Sequence, residues 1–454
     1  MVRGLIGGTG LGVRLIRSSG LIFLGFSASQ AIRLGSNLIL TRLLYPEAFG
    51  LMALIIVFLV GLTMLSDIGI APSIQQSSRG DDRSFINTAW TIQVIRGVIL
   101  WLICCLLGVI AAWGYGEDQL RAMLPVAGLS LLISGFDPTR IETASRHLSM
   151  GRLTVLDLLA QVVGLAALLI LVWIMGSAWA LVIGGVLSSL IRLVIMHTLL
   201  PGQANWFHWE RDAAVELITF GKWIFLSTLC GFIIIQGDKA ILGKYLSLEA
   251  LGIYNIGYFL AGFPQALAGA VMSRVMIPLH RECPPGTSAE NYAKVRKSRA
   301  LMTATVLTMQ FVMAFFGVWL VELMYDQRFV AAGSVVTAIA CMNIPYLIGM
   351  TYEYAALGRG DSRGLFHLLL PKAMGQTILF ILGLSYYGLP GALAGVWLSQ
   401  IITHTLVIRL ARQHGAWDPW HDLIYGMLGL ILTGLALWYH WGELALLGTF
   451  STAQ

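Results

Sequence analysis

Apolar positions in this chain fall into long blocks separated by short polar breaks. The blocks lie near residues 20–40, 50–72, 88–112, 119–136, 154–174 and 178–199, then 222–243, 251–278, 301–324, 333–356, 365–386 and 391–410. A thirteenth covers about 421–440, and 442–450 is too short to span comfortably. At 1.5 Å of rise per residue, each of the thirteen can cross about 30 Å of hydrocarbon as a helix. Long alternating stretches that would point to a barrel are absent. The pattern therefore predicts an all-α polytopic membrane protein. Its expected parts are an interfacial cytoplasmic arm (1–19), two six-helix lobes (20–205 and 206–412) and a C-terminal appendage (413–454) with one or two extra helices.

Composition agrees with the pattern. The 454 residues are 57% hydrophobic and only 11% charged, where a soluble domain is about a quarter charged. The net charge of +6 could point to nucleic acid, but its placement does not. With odd-numbered loops outside and even-numbered loops inside, nineteen Lys and Arg fall inside, four outside, and six within the spans. The positive-inside rule then puts the amino terminus in the cytoplasm. The opening "MVRGLIGGTGLGVRLIRSSG" lacks a small-residue cleavage pattern, so an arm is expected ahead of a cleaved signal peptide. The five cysteines show no C-x-x-C spacing and the nine histidines no metal spacing, so neither a disulfide framework nor a metal site is expected. Nucleotide-hydrolysis and hydrolase motifs are missing too; the chain reads as neither an enzyme nor a cofactor binder.

One phrase occurs twice. "ILTRLLYPEAFGLM" (Ile39–Met52) returns 202 positions later as "ILGKYLSLEALGIY" (Ile241–Tyr254). Six spans separate the copies, so both halves enter the membrane in the same direction, as in parallel repeats related by an axis along the membrane normal. The residue types suit a helical hairpin. Arg42 and Lys244 offset a helix C-terminal dipole. Pro46 fits the first turn of the next helix, and Ser247 can cap its counterpart. Glu47 and Glu249 sit at the positive end, and Gly50 and Gly252 allow close helix contact.

The six cations within spans are Arg33, Arg96, Arg192, Lys239, Arg274 and Lys372, against the acids Asp67, Asp157, Asp238 and Glu353. Each Lys, Arg or Asp at a bilayer centre costs about 2.5–3.5 kcal/mol on insertion scales, so none should face lipid. The basic excess argues for an interior that receives an anion such as phosphate or pyrophosphate. Arg33 stands in a polar stripe with Ser27, Ser29, Gln30, Ser36 and Asn37, and Arg96 lies one turn after Gln93. Both read as cavity wall or as structural ion pairs. Lys239 shares its repeat position with Asn37, which makes a common lining position plausible; it adjoins Asp238, but successive helical residues point about 100° apart and need not pair. Arg192, Arg274 and Lys372 lie nearer the cytoplasmic ends and can snorkel. The candidate substrate-binding residues are thus Arg33, Asn37, Arg96, Lys239, Arg274 and Lys372. Asp67, Asp238 and Glu353 are candidates for ion coupling or for ordering a lobe, Asp67 because Gly69 and Pro72 weaken the helix beside it.

"TRLLYPEAFGLMALIIVFLVGLTMLSDIGIAPSIQQ" resembles the amino-terminal hallmark of the polysaccharide transporter family of oligosaccharide flippases, in the multidrug/oligosaccharidyl-lipid/polysaccharide exporter superfamily. The resemblance rests on the Pro46-Glu47-x-Phe49-Gly50 turn, the apolar span after it, and Ser66-Asp67-Ile68-Gly69 leading to Gln75. It implies two helical bundles, a cationic cavity and alternating access. The implied substrate is a polyprenyl-pyrophosphate-linked glycan, with membrane lipid and polysaccharide polymerase machinery as partners. The chain departs from the family's usual fourteen spans after the twelfth. A cation-coupled multidrug antiporter of the same superfamily is the alternative, and it would favour a carboxylate-rich interior. A membrane glycosyltransferase would want a sizeable outside loop, which the chain lacks. A lipid scramblase without glycan selectivity stays open.

Overall fold

A computed structural model describes residues 11–147 and 150–450, so the first ten residues of the expected arm lie outside the described part. The helices are α1 (Leu11–Leu43), α2 (Pro46–Leu65), α3 (Ile70–Gln76), α4 (Arg83–Tyr115), α5 (Gln119–Gly135), α6 (Arg140–Arg146), α7 (Met150–Met175) and α8 (Ala178–Leu199). They continue as α9 (Arg211–Tyr245), α10 (Leu248–Ala261), α11 (Phe263–Glu282), α12 (Ala289–Met324), α13 (Ala332–Gly358), α14 (Ser362–Gln413), α15 (Pro419–Tyr439) and α16 (Trp441–Ala445). The described residues contain no strand. Side chains end the helices where the spans meet the loops: Asp82 accepts from Ser84 N–H, Ser247 from Ala250 N–H, Ser288 from Asn291 N–H and Asp418 from His421 N–H, each satisfying an orphan first-turn donor.

Several expected spans are broken. The block at 50–72 stops at Leu65 and resumes as α3 after Gly69, which caps it in the left-handed region (φ 68°). α5 and α6 bend by 56°, and α10 and α11 by 41°. α14 runs as two antiparallel helices: Gly388 (φ 63°) turns the chain, and a Cβ at Gly383 would lie 2.0 Å from the Gly391 carbonyl oxygen. That turn divides 365–386 from 391–410 where the hydrophobic pattern did. The cytoplasmic loop expected over 279–299 shrinks to 283–288, because α11 and α12 extend into it.

The chain forms two compact units. Unit 1 holds the chain up to Leu44 and Leu54–Leu229; unit 2 holds Tyr45–Ala53 and Cys230 onward. In unit 1, Ile70 and Ile74 of α3 pack with Phe85, Ala89 and Ile92 of α4 and with Ala213, Ala214 and Leu217 of α9. The short α3 is held by Arg146, whose guanidinium donates to the carbonyls of Ile74 (3.0 Å), Gln75 (3.1 Å) and Ser77 (2.7 Å). Residues 200–210 form no helix and dock on unit 1. The N–H groups of Trp206, His208 and Glu210 donate to Asn87, Thr91 and Thr88 at 3.2, 3.0 and 3.1 Å. Arg79 closes this region, bonding Asp82 at 2.5 Å and Glu210 at 2.8 Å.

In unit 2, α13 is the central element, buried along nearly its whole length. It packs Ile344, Leu347 and Ile348 against Met272 and Met276 of α11 and Val306 and Leu307 of α12. The appendage is part of this core. Ala436 of α15 is buried with Ala314, Ala340 and Cys341, and the Tyr425 hydroxyl donates to the Ala300 carbonyl at 2.9 Å. The two copies of the duplicated phrase meet here. A Cβ added at Gly50 would lie 1.9 Å from the Leu248 carbonyl oxygen, and one added at Gly252 would lie 1.9 Å from that of Pro46. Since 46 and 50 correspond to 248 and 252 under the repeat, the contact is reciprocal: each helix start presents its glycine to the other's backbone.

Two outcomes follow from this packing. Gly50→Ala forces backbone apart and should destabilise by about 1–3 kcal/mol, in the range of overpacking. Gly114→Ala, where nothing lies within 4 Å, should be neutral or raise stability by up to about 1 kcal/mol; unfolding temperatures in detergent compare the two. The second concerns pH. Hydrogen bonds from Arg79 hold the Asp82 and Glu210 carboxyls below the ordinary carboxylate range. Such groups stabilise the fold above their unfolded pKa of about 4 and lose that contribution as pH falls through the lower folded value. The unfolding temperature should therefore be flat above about pH 5 and fall below about pH 4, with a shallower fall in Glu210→Gln.

Candidate functional site

The candidate residues divide by what their neighbours ask of them. In unit 1, ending α2 at Leu65 inside an apolar block leaves carbonyls without helical partners, at several kcal/mol each in hydrocarbon. Arg96 meets that need: its Nε donates to Ser66 Oγ at 2.9 Å and its Nη2 to the Thr63 carbonyl at 2.8 Å. Gln93, one turn earlier, donates to the carbonyls of Ser134 (3.1 Å), Gly135 (3.3 Å) and Asp137 (3.1 Å), where α5 ends. Asp67 accepts from the Gly69 N–H at 2.8 Å, closing the turn into α3. Arg192 bridges Asp137 at 2.5 Å and Asp157 at 3.1 Å. Arg33 is exposed on α1, with Gln30 Oε1 at 3.4 Å, and Asn37 one turn on is half-buried.

In unit 2 the two candidate lysines are buried. Lys239 Nζ lies 3.4 Å from Asp238 Oδ1, 3.4 Å from the Ile235 carbonyl and 3.4 Å from the centre of the Tyr258 ring. The Tyr254 hydroxyl donates to the other Asp238 oxygen at 2.7 Å. Helix geometry did not require adjacent Asp238 and Lys239 to pair, yet they do: the lysine stem is long enough to curl back, and burial leaves the ammonium few other partners. Lys372 repeats the chemistry, with Nζ 3.0 Å from Glu353 Oε1 and 4.1 Å from the centre of the Tyr346 ring. Gln376, one turn further, donates to the Ile234 carbonyl at 3.1 Å. Arg274 is exposed on α11 and has no hydrogen bond or ion pair among the described residues.

Sequence reasoning missed a second polar cluster in unit 2. Asp422 accepts from the Tyr352 hydroxyl (2.9 Å) and Trp417 Nε1 (3.0 Å), with His421 Nδ1 at 3.1 Å and His404 Nε2 at 3.4 Å. Arg299, two residues ahead of the 301–324 block, is completely buried with its guanidinium 4.2 Å above the Tyr352 ring. Its signal was the continuous helical pattern from Ala289 into the span, which draws a loop cation inward.

Within the described residues, no group of three His, Cys, Asp or Glu could hold a metal ion. The structure matches that of the lipid II flippase MurJ, in its inward closed conformation, with a TM-score of 0.66 at 12% identity, covering 94% of this chain and 96% of that one. The likeness shows the fold, a two-lobed bundle of membrane helices.

The chain belongs to the polysaccharide biosynthesis protein family, whose sequence profile matches residues 39–333. It is 21% identical over 246 residues to the teichuronic acid biosynthesis protein TuaB of Bacillus subtilis (strain 168), covering 53% of this chain and 50% of TuaB. It is also 21% identical over 390 residues to the succinoglycan biosynthesis transport protein ExoT of Rhizobium meliloti (strain 1021), covering 81% and 74%. The chain spans about half the length of most of the curated relatives it matches, TuaB included.

The Lys372–Glu353 pair has a clear energetic test. Breaking a buried pair from one side strands the other charge, so Lys372→Met should destabilise by about 3–5 kcal/mol, while adding Glu353→Leu should recover most of the loss. Chemical unfolding of the single and double variants in detergent measures both.

Proposed function

We propose that the protein translocates a polyprenyl-pyrophosphate-linked oligosaccharide, a precursor of surface polysaccharide, across the bacterial inner membrane. Its amino terminus is then cytoplasmic, and the delivered glycan feeds polymerase machinery on the far side. One observation carries the choice of an anionic substrate. The four candidate carboxylates are all engaged: Asp67 by a backbone N–H, Asp157 by Arg192, Asp238 by Lys239 and Tyr254, and Glu353 by Lys372. Arg274 stays exposed on α11, with no hydrogen bond or ion pair among the described residues. The unpaired charge among the candidates is therefore positive, which suits pyrophosphate and disfavours a cationic drug. Guanidinium binds phosphate oxygens in pairs and stays charged at any physiological pH. The family membership and the relatives' printed roles in polysaccharide biosynthesis and transport support the same reading.

This reading assigns different parts to the original candidates. Arg274 contacts the pyrophosphate. Arg96, Lys239 and Lys372, with Asp67, Asp238 and Glu353, keep the helices in the shape that transport requires. The test is the sidedness of lipid-linked oligosaccharide in spheroplasts, read with an impermeant glycan-modifying enzyme. Deleting the gene should leave the lipid-linked glycan protected. Wild type should restore access, Arg274→Ala should not, and Arg274→Lys should restore it in part. Unchanged sidedness on deletion would overturn the proposal.

A further inference from the structure

The segment between α8 and α9 has a feature that transport does not use. Trp206, Phe207 and Trp209 are exposed by 70%, 68% and 56%. Loops rich in free aromatic surface are ordinarily loose, and this one is held firmly. Besides the three N–H bonds to α4, Asn205 is tied to Thr139 through both its amide atoms, donating to the hydroxyl at 2.6 Å and accepting from the backbone N–H at 3.1 Å. His208 Nε2 lies 2.7 Å from Ser84 Oγ, and the Gln203 side-chain Oε1 accepts from Arg83 Nε at 3.0 Å. The Phe207 ring leans on buried Trp90, with centroids 4.9 Å apart. The backbone is thus fixed from both sides, and its large rings are turned outward.

Aromatic side chains of this size each bury about 150–250 Å² when covered. Three of them presented together on a rigid segment mark an interaction surface. The surrounding charge says what covers it. Arg83, Arg152 and Arg211 are exposed where α4, α7 and α9 begin, on the side where sequence places the Lys and Arg excess. Val215 and Ile218, on the first turns of α9, are also exposed. Indole rings beside arginines at the ends of membrane helices match the headgroup layer, where one part of the ring is apolar and the other wet.

We infer that Trp206, Phe207 and Trp209 anchor unit 1 in the lipid headgroup layer on its arginine-rich side, with anionic lipid as the partner. The clamp on α4 sets the depth at which the rings enter. The anchor also fixes where α9 leaves the membrane surface, because α9 starts directly after Glu210.

The test uses the full chain with its five cysteines replaced by alanine, reconstituted in vesicles of phosphatidylglycerol and phosphatidylcholine. A nitroxide label is placed through Phe207→Cys, or through Thr287→Cys as an exposed-loop control. Collisions with oxygen, which concentrates in lipid, are compared with those of a water-soluble nickel chelate. The oxygen-to-nickel ratio at 207 should be severalfold that at 287, and should drop towards the control when Trp206→Ser and Trp209→Ser are added. A ratio equal to the control would mean that the rings stand in water and would overturn the anchor. Exclusion of both reagents from 207 would mean that a protein covers the segment, and would overturn it equally.

Discussion

Hydrocarbon cannot solvate a peptide group or a charge, and nearly every polar contact at membrane depth in this protein answers to that fact. Where α2 stops, Arg96 takes the freed carbonyl and a serine hydroxyl; where α5 stops, Gln93 takes three carbonyls. Arg146 does the same for the end of α3. Polar side chains within apolar helices are therefore found beside broken ones. A donor in the wrong place would be costly in lipid, and a helix end without a donor equally so; together each makes the other tolerable.

The same economy separates two kinds of intramembrane cation. Lys239 and Lys372 each sit against a carboxylate and over a tyrosine ring, arrangements in which the ammonium gains roughly 0.5–2 kcal/mol from the ring alone. Arg192 is held between two acids. These charges are spent internally. Arg274 keeps an exposed guanidinium group with no such partner among the described residues.

Much of the architecture was legible from the chain because long apolar blocks have few physical outcomes. Even the turn at Gly388 appears as a gap between two blocks. The breaks were harder. Gly69 and Pro72 flagged one, but the bend at Gly262 carries no polar interruption of comparable strength. The site was legible as a list of charges and not as a set of partners. Asp238 and Tyr254 lie at equal distances from Leu246, so a tight hairpin between α9 and α10 places them opposite each other. Reading the register outward from the turn would have found that bond; reading residue by residue did not. Arg299 escaped for another reason. Its helix begins twelve residues before the apolar block, and only packing against Tyr352 reveals that it has gone inside.

The reciprocal approach of Gly50 and Gly252 has the form of a contact between two subunits. A contact in which position i meets j and position j meets i is the isologous contact of a two-fold dimer. Here the two-fold relation is built into one chain by two copies of one phrase. A backbone oxygen seated where a Cβ would otherwise lie cannot be accommodated by changing any side chain, so a residue larger than glycine at either position has to move the backbone.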